Sequence, residues 1–505
     1  MKAAATAPAG GRWGWLDRSE IWRPTAYATA GVALLVAGLV AFWPSDRLLG
    51  AINSWTVFHY TIGTKYFDEL GYFDLYDGVL LADAEDSQVL SRHVGRTRDL
   101  RSYYWISTEA AVARARSEGI RARFSDARWA ELKRDLRAIL RLRAPRDWMQ
   151  PLLDRGFNPS PAWLIIHRPL LGAVELSGKR ALLALCSIQL LLYLISFAAA
   201  WWGFGGRATL LGTVWFLLLF SNWSIKQPAY FSGDWLCLTV CAAALYRRGH
   251  LLAAAPLLAY AAMMRGFPGL LALHPAVVWL WRVVRLRRPH GRHTRFLVAL
   301  VATCLLLVGL GSLTPRGFDA WLQWKDKITV HAKNHRYTAN IVGLRQIAVH
   351  DFAGGRWPMS HQERERVTEG YQLPYLVAAS ILLGLTLLAM LRRDDHDGLL
   401  LGLAVIFFLL ILSRYYISVA LLLFTWQGLT RRQALLANIW LFGLELGYYA
   451  QLLLLSPTVR QRYVFFNLGL LVYFCFILWI FLRRDVHWLR SGRGADDTPP
   501  IPGLS

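Results

Sequence analysis

The stretch Ala181-Leu-Leu-Ala-Leu-Cys-Ser-Ile-Gln-Leu-Leu-Leu-Tyr-Leu-Ile-Ser-Phe-Ala-Ala-Ala-Trp-Trp202 decides the fold of this chain. It contains no charged residue, and it is long enough to cross a bilayer as a helix, which takes about 20 residues. The whole chain has 505 residues, is 55% hydrophobic and has a mean hydropathy of +0.32. Similar apolar runs recur along it without amphipathic spacing. The sequence therefore predicts an all-α, polytopic membrane protein.

The apolar runs predict about 12 transmembrane helices once their flanking residues are included. The runs are 32–43, 181–202, 210–220, 236–245, 251–264, 270–284, 296–313, 373–391, 399–412, 417–424, 434–455 and 464–482. The resulting divisions are a cytoplasmic N-terminus with the first helix (1–43), a large periplasmic loop (44–178), helices (179–313), a second periplasmic loop (314–372), helices (373–482) and a cytoplasmic tail (483–505). Both loops are expected to contain short helices. Residues 128–143, charged on one side and apolar on the other, either lie in the membrane interface or cover part of the first loop.

The formal net charge of +23 does not indicate nucleic acid as a partner, because the basic residues fall largely in short loops between apolar runs. Basic clusters at 246–250, 285–295, 391–393, 430–432 and 483–490 occupy alternate loops. This is the charge bias that orients membrane proteins. It predicts a multi-pass protein of the cell inner (plasma) membrane with both termini in the cytoplasm. The five cysteines lie in or beside apolar runs, so neither disulfides nor a thiolate metal site is expected.

The polar stretch Gly63-Thr-Lys-Tyr-Phe-Asp-Glu-Leu-Gly-Tyr-Phe-Asp-Leu-Tyr-Asp-Gly78 follows the first apolar run. It places four carboxylates, those of Asp68, Glu69, Asp74 and Asp77, among aromatic side chains. Apolar neighbours raise the pKa of a carboxylate towards the range useful for a general base. Asp68 and Glu69 are the leading candidates for the base, and Asp234 is the third. The alternative is a solvated loop whose Tyr and Phe side chains anchor it at the membrane surface.

The predicted topology brings a second set of polar residues to the same face of the membrane. Its members are Lys226, Asp234, Arg265, His335, Asn340, Arg345, Arg414 and Tyr415. Arg265 and Arg414 stand at the ends of apolar runs, where an ionisable residue is costly and indicates function. Cations among aromatic side chains at this depth suit a lipid phosphate. The alternatives are that the arginines extend to the lipid headgroups, that Asp234 caps its helix and that His335 is structural.

With these residues in place, the chain resembles the type-C (GT-C) integral-membrane glycosyltransferases, which use polyprenyl-phosphate sugars as donors. The resemblance lies in the layout. It comprises many helices, the acidic first-loop motif Lys65-Tyr-Phe-Asp-Glu-Leu-Gly-Tyr72, the Gly233-Asp234-Trp235 turn, Arg265-Gly-Phe-Pro268 and the segment 335–345. It covers most of the chain and is closest to a bacterial branch of that superfamily. The first loop is longer than usual there.

The resemblance implies transfer of a hexosyl or pentosyl group from a polyprenyl phosphate to a glycan or lipid acceptor on the periplasmic face. A carboxylate would take the acceptor proton, and Lys226, Arg265, His335, Arg345 and Arg414 would hold the donor phosphate. The residues expected to contact the acceptor or the sugar are Tyr66, Tyr72, Asn340 and Tyr415. Cations can stabilise the departing phosphate, so neither a metal nor a cofactor is expected. The expected partners are this donor, its acceptor and membrane lipids, and no nucleic acid.

Two other functions fit parts of the sequence. A transporter or lipid-linked glycan flippase would carry charged residues near the middle of the bilayer, and Glu445, well inside the run 434–455, favours it. A ligase that uses diphosphate-linked glycans would share the phosphate-binding cations but would usually carry its large loop later in the chain. A non-enzymatic assembly partner is a further alternative.

Overall fold

The computed structural model describes residues 51–219, 221, 225–335, 341–348, 366–367, 369–454 and 459–490. Within these ranges the chain is mostly helical, as the sequence predicts. The only strands there form two short antiparallel pairs. The predicted first span (32–43) lies outside the described residues, as do parts of the second loop.

The first loop region folds into short helices and one strand pair. Its elements are α1 (Ser54–Val57), a π-helix (Phe58–Ile62), α2 (Gly63–Lys65), α3 (Phe67–Leu70), α4 (Leu75–Ala84), α5 (Val89–His93), β1 (Arg96–Arg98), β2 (Trp105–Ser107), α6 (Thr108–Ser117), a 3₁₀ helix (Ile120–Arg123), α7 (Asp126–Leu140), a 3₁₀ helix (Pro145–Trp148), α8 (Met149–Leu152) and α9 (Pro161–Gly172). Thr97 pairs with Ile106 in the β1–β2 register. The expectation of short helices in this loop is confirmed.

The rest of the described chain contains longer helices. They are α10 (Lys179–Phe204), α11 (Gly206–Leu217), α12 (Asp234–Arg247), α13 (Leu251–Arg265), a 3₁₀ helix (Phe267–Ala272), α14 (Leu273–Leu286), α15 (Gly291–Gly311), α16 (Asp319–His335), β3 (Ile341–Val342), α17 (Leu344–Ala348), α18 (Gln372–Met390), α19 (Asp395–Leu409), β4 (Leu412–Ser413), a 3₁₀ helix (Arg414–Thr425), α20 (Arg431–Leu454) and α21 (Val459–Arg490). Strand β3 pairs with β4, so that Ile341 lies opposite Ser413.

Five helical segments in the described ranges are long and apolar enough to cross a membrane. They are Lys179–Phe204, Phe267–Leu286, Gly291–Gly311, Gln372–Met390 and Tyr463–Arg484. Large apolar side chains on them face outward, for example Leu305 at 67% and Leu373 at 71% exposure. A membrane protein is thus indicated, since lipid can cover such surfaces. About 12 spans are not confirmed, because several apolar runs form helices of only 12 to 15 residues, such as α11 and α13.

The first loop region has its own apolar core, which continues into the helical bundle. Trp129, Leu132 and Leu136 of α7 line up at helical spacing and are buried in it. The same cluster includes Cys186 of α10 and Met264 of α13. Helix α7 therefore covers the acidic stretch instead of lying apart from the rest of the loop, which agrees with the second of the two positions left open for residues 128–143.

A buried cation fastens α7 to the acidic stretch. The Lys65 Nζ lies 2.8 Å from a carboxylate oxygen of Glu131 and 2.8 Å from one of Asp135, and the side chains of Lys65 and Asp135 are fully buried. The same Nζ donates a hydrogen bond to the Val174 carbonyl oxygen. A charge removed from water in this way requires its partners, because an unpaired buried charge is strongly destabilising.

We predict that Lys65→Met will destabilise the protein by about 3 to 5 kcal/mol, because it leaves the buried Asp135 carboxylate without its cation. The thermal midpoint of the full-length protein in detergent measures the loss. The matched control is Lys133→Met in α7, the helix that carries Asp135; the Lys133 ammonium lies 4.0 Å from Glu85 at a partly exposed site. That pair should contribute only about 0 to 1 kcal/mol. Equal midpoints for the two variants would contradict the prediction.

Candidate functional site

Asp234 is held at the first residue of α12 by a glycine that precedes it. The Gly233 N–H donates a hydrogen bond to Gln189 Oε1 of α10 over 2.9 Å. A Cβ atom at position 233 would lie 2.4 Å from Gln189 Nε2, so a side chain there would displace the Gln189 amide. Gly233 is the N-cap residue and Asp234 is already helical. Helix capping alone therefore does not explain the carboxylate at position 234.

The Asp234 carboxylate is buried and only partly hydrogen-bonded. Its Oδ1 accepts the Trp235 N–H over 2.7 Å, and its Oδ2 is buried with no hydrogen-bond partner among the described residues. Burial raises the pKa of Asp234 to about 6, while the positive charge of Arg265 acts in the opposite direction. A carboxyl group with such a pKa is mostly ionised at neutral pH yet can still accept a proton.

Arg265 ends α13 beside this carboxylate. Gly266 follows with φ of +71°, a conformation that glycine adopts readily and that ends the helix. The Arg265 Nη2 donates a hydrogen bond to the Tyr60 hydroxyl, and its guanidinium carbon lies 5.4 Å from the centre of the Tyr60 ring. Its Nε is buried without a hydrogen-bond partner in the described part of the chain. The charges of Asp234 and Arg265 therefore meet where the first loop region joins the bundle.

Five tyrosines surround the two charged groups. The Tyr415 hydroxyl donates to the Tyr416 hydroxyl over 3.0 Å, and both residues interact electrostatically with Arg265. The remaining three are Tyr60, Tyr230 and Tyr260, on each of which the charge of Asp234 acts. We call Asp234, Arg265 and these five tyrosines the Asp234 cluster. The Tyr260 hydroxyl is buried and, in the described ranges, has no hydrogen-bond partner.

A second group of buried charges lies in the loop region. The Lys327 ammonium of α16 sits 4.9 Å from the Tyr103 ring centre, and its Nζ has no hydrogen-bond partner among the residues described. Burial lowers the pKa of Lys327 to about 7, and the negative charges of Asp154 and Asp99 act against that shift. Arg155 links this group to the Asp234 cluster, because it interacts with both Asp154 and Tyr415.

The first-loop carboxylates are paired with arginines. Asp68 forms an ion pair with Arg168, and Glu69 lies 2.9 Å from the Nε of Arg128. Asp74 and Asp77 are likewise bound, through Arg101, Arg114 and Arg123. One oxygen each of Asp68 and Glu69, Oδ1 and Oε2, is buried without a hydrogen-bond partner in the described ranges. The stretch is therefore a folded part of the loop region and not a solvated loop.

The tyrosines predicted to bind the sugar or acceptor bond within the loop region instead. The Tyr66 hydroxyl donates to Asp135 Oδ2 over 2.8 Å. The Tyr72 hydroxyl donates to the Pro159 carbonyl oxygen over 2.8 Å. Both side chains are fully buried. Tyr415, by contrast, belongs to the Asp234 cluster, and Asn340 lies outside the described residues.

The cations predicted to hold the donor phosphate have different neighbours. Arg265 lies in the Asp234 cluster. The guanidinium carbon of Arg345 lies 5.7 Å from the centre of the Tyr375 ring. Arg414 interacts with Tyr463. The β3–β4 pair nevertheless brings the segments that carry Arg345 and Arg414 together. Lys226 donates to the Leu217 carbonyl oxygen over 2.8 Å. His335 is the last residue of α16, and its side chain lies outside the described part of the structure.

Comparison with protein-family models, with curated proteins and with solved structures gives no match. The site therefore has to be interpreted from its own geometry.

Sequence reasoning missed several members of these two groups. Tyr60 and Tyr416 were hidden among many aromatic residues, and Arg155 and Lys327 among many basic ones. The sequence offers one signal for Lys327, which is its place two residues after Lys325 in the second loop. A cation beside an apolar helical face has to be paired or exposed, but the sequence does not say which of the two lysines is buried. Lys325 is exposed whereas Lys327 is fully buried. Only the fold separates the two.

Proposed function

We propose that this protein is a membrane glycosyltransferase of the GT-C type. It moves a sugar from a polyprenyl phosphate to a glycan or lipid acceptor at the periplasmic face of the inner membrane. The Asp234 cluster carries the proposal. It combines a carboxylate, a guanidinium and tyrosine hydroxyls at the ends of apolar helices, where a lipid-linked substrate can approach from the bilayer.

Three unpartnered atoms of this cluster support a polar ligand there. Asp234 Oδ2, Arg265 Nε and the Tyr260 hydroxyl are all buried and lack hydrogen-bond partners in the described ranges. Buried polar groups are nearly always hydrogen-bonded, so a group of exceptions calls for an explanation. A substrate with a phosphate and several hydroxyl groups would satisfy a carboxylate acceptor and a guanidinium donor at the same time.

The proposed reaction uses Asp234 as the general base. Its carboxylate takes the proton of the acceptor hydroxyl while that oxygen forms a bond to the anomeric carbon of the sugar. The bond between that carbon and the phosphate oxygen breaks, and the electron pair leaves with the polyprenyl phosphate. Arg265 stabilises the negative charge that develops on the departing phosphate. The proton thus ends on Asp234, the sugar on the acceptor and the charge on the phosphate.

Asp234 is preferred to the first-loop carboxylates for a physical reason. An ion pair with arginine occupies a carboxylate and fixes its position. Asp68 and Glu69 both have such partners, in Arg168 and Arg128. Asp234 has only a longer-range interaction with Arg265 and is raised in pKa by burial. The ion pairs of Asp68 and Glu69 are then expected to position the loop region over the Asp234 cluster.

A transporter or flippase is the alternative function. Its main support was Glu445, which in the structure accepts hydrogen bonds from the Ser221 N–H and hydroxyl, each over 2.9 Å. A residue bonded in this way joins two segments of the bundle and offers less to a transported solute. Measuring lipid binding and sugar transfer separately distinguishes the two functions, because a flippase would bind the lipid without transferring sugar.

The topology that belongs to this proposal has about 12 spans, both termini in the cytoplasm and the first loop outside. We predict that a cysteine at the exposed position Gln88 will react with an impermeant maleimide added outside the inner membrane. A cysteine at Arg288, between α14 and α15, should react only after permeabilisation. Both are introduced into a chain whose five native cysteines are replaced by serine. The reverse labelling pattern would overturn the orientation and, with it, the periplasmic site.

We predict that Asp234→Asn will lower the transfer rate by about 100 to 10,000-fold, the usual effect of removing a general base. The assay follows labelled sugar from polyprenyl-phosphate hexose and pentose donors into cell-envelope lipid or glycan. Binding of polyprenyl phosphate itself, measured by thermal shift, should survive in Asp234→Asn and weaken in Arg265→Gln. The matched controls are Asp68→Asn and Glu69→Gln, whose transfer rates should fall far less.

Two results would contradict that assignment. Near-full transfer by Asp234→Asn, together with loss in Asp68→Asn or Glu69→Gln, would move the base to the first loop. Polyprenyl-phosphate binding without transfer from any donor, with Asp234→Asn unchanged, would favour the flippase.

The pH dependence of the reaction follows from the raised pKa of Asp234. The base must be ionised, so kcat/KM should rise as pH increases through about 6 and level off above it. Below this pKa the rate should fall about tenfold per pH unit, because the ionised fraction does. A plateau that extends down to about pH 4.5 would instead indicate a carboxylate with an ordinary pKa.

A further inference from the structure

A group of histidine and aspartate side chains, distinct from the Asp234 cluster and from the group around Lys327, lies at the opposite end of α12 from Asp234. Tyr246, near the C-terminal end of that helix, packs its ring 5.0 Å from Phe296 of α15 and interacts with Asp395. The 12 positions from residue 234 to 246 span roughly 18 Å of helix, at about 1.5 Å per residue. This group is therefore separate from the Asp234 cluster.

Three side chains from three helices converge there. His274 comes from α14, His293 from α15 and Asp395 from the first turn of α19. Their ligand atoms, an imidazole nitrogen from each histidine and a carboxylate oxygen, all lie within 4.8 Å of one another. Two imidazoles and one carboxylate form a ligand set typical of zinc and other first-row divalent metals.

The hydrogen bonding of the histidines leaves donor atoms available for a metal. Both ring nitrogens of His274 are buried without a well-aligned hydrogen-bond partner in the described ranges, and the residue is only 1% exposed. The backbone of Met390 and Arg393 lies close enough to act on this imidazole. The His293 Nε2 lies 2.9 Å from Asp395 Oδ1, whereas its Nδ1 is buried and, in the same ranges, has no partner. A buried imidazole without well-aligned hydrogen bonds is costly, and a metal ion would bind one of its nitrogens.

The surroundings of the three residues are built to hold them. A Cβ atom at Gly398 would lie 2.0 Å from His274 Cδ2, so the absence of a side chain lets this imidazole lie against α19, near Asp395. The Arg292 Nε lies 3.2 Å from Asp395 Oδ2. A contact of this kind orients a metal-binding carboxylate. Arg292 also lines an open cleft of about 680 Å³ beside His250 and Leu251.

We infer that His274, His293 and Asp395 form a binding site for a divalent transition-metal ion, with zinc as the preferred ion in vitro. Ligands at about 2.0 to 2.2 Å around a tetrahedral ion lie about 3.3 Å apart. The donor atoms therefore need to close by roughly 1.5 Å at most, which side-chain rotation supplies. The ion would tie α14, α15 and α19 together and would stabilise the folded state because the unfolded chain does not hold this geometry.

The first measurement is metal content. Full-length protein, purified without a polyhistidine tag, is treated with chelator, loaded with zinc sulfate and desalted before elemental analysis. We expect about one zinc ion per chain, since one such ligand set binds one ion. His274→Ala and His293→Ala should lose it. His250→Ala is the matched control, because this exposed histidine lies on the same cleft but outside the ligand set, and it should retain the ion.

A cobalt(II) spectrum tests the ligands directly and does not depend on protein stability alone. Cobalt-loaded wild-type protein should show the visible absorption of a four-coordinate site. Asp395→Cys should add a near-ultraviolet thiolate-to-metal band, which no purely structural role of Asp395 would produce. A variant that fails to fold is recognised by its elution from a sizing column. In that case Gly398→Ala, which displaces His274, replaces it and should weaken cobalt binding at least tenfold.

Two results would overturn the inference. Zinc retained by wild type at no more than the level of a His274→Ala, His293→Ala double variant would mean that the cluster is a hydrogen-bonded His–Asp pair only. A cobalt spectrum unchanged in Asp395→Cys would mean that any bound ion is held elsewhere. These outcomes are independent of the transferase assay, so failure of one proposal leaves the other standing.

Discussion

The rest of this structure depends on the pairing of charge away from water. The chain has 56 Lys and Arg but only 33 Asp and Glu, and its first loop region uses carboxylates to neutralise cations that folding buries. Lys65 illustrates the constraint, since its fully buried ammonium is held between Glu131 and Asp135. Removing either kind of partner leaves a charge in a medium that cannot solvate it. The apolar core of the loop can close over α7 only because these pairs are made.

The Asp234 carboxylate differs from these paired carboxylates. Asp234 is buried, but its neighbouring cation, Arg265, donates to a tyrosine hydroxyl and keeps its Nε unbonded in the described ranges. Asp68 and Glu69 differ from Asp234 because arginine side chains form direct ion pairs with them. Glu445 belongs with the paired group, because Ser221 satisfies it. The dense group of carboxylates in the sequence therefore belongs to a network of ion pairs, and the isolated carboxylate at a helix start is the one that we propose as the base.

Long apolar runs made the helical class of the protein predictable, since hydropathy depends on composition alone. The number of spans was not predictable in the same way. Runs such as 251–264 form helices of only 15 residues, and whether such a helix crosses the bilayer depends on its packing. The site was only partly predictable. Asp234, Arg265 and Tyr415 were singled out by their place at the ends of apolar runs. Tyr60 and Arg155 reach the cluster from a loop region whose folding pairs residues about 100 positions apart, for example Thr64 with Trp163.

The two ends of α12 have different physical requirements. At the Asp234 end, the hydrogen bond from Gly233 to Gln189 fixes the start of the helix and so holds the carboxylate in place. At the other end, Tyr246 contacts Phe296 of α15 and interacts with Asp395 of α19, so the helix reaches two of the three elements that carry the proposed metal ligands. An ion shared by His274, His293 and Asp395 would fix α15 and α19 to each other beside the end of α12, and so would hold that end of the helix in place.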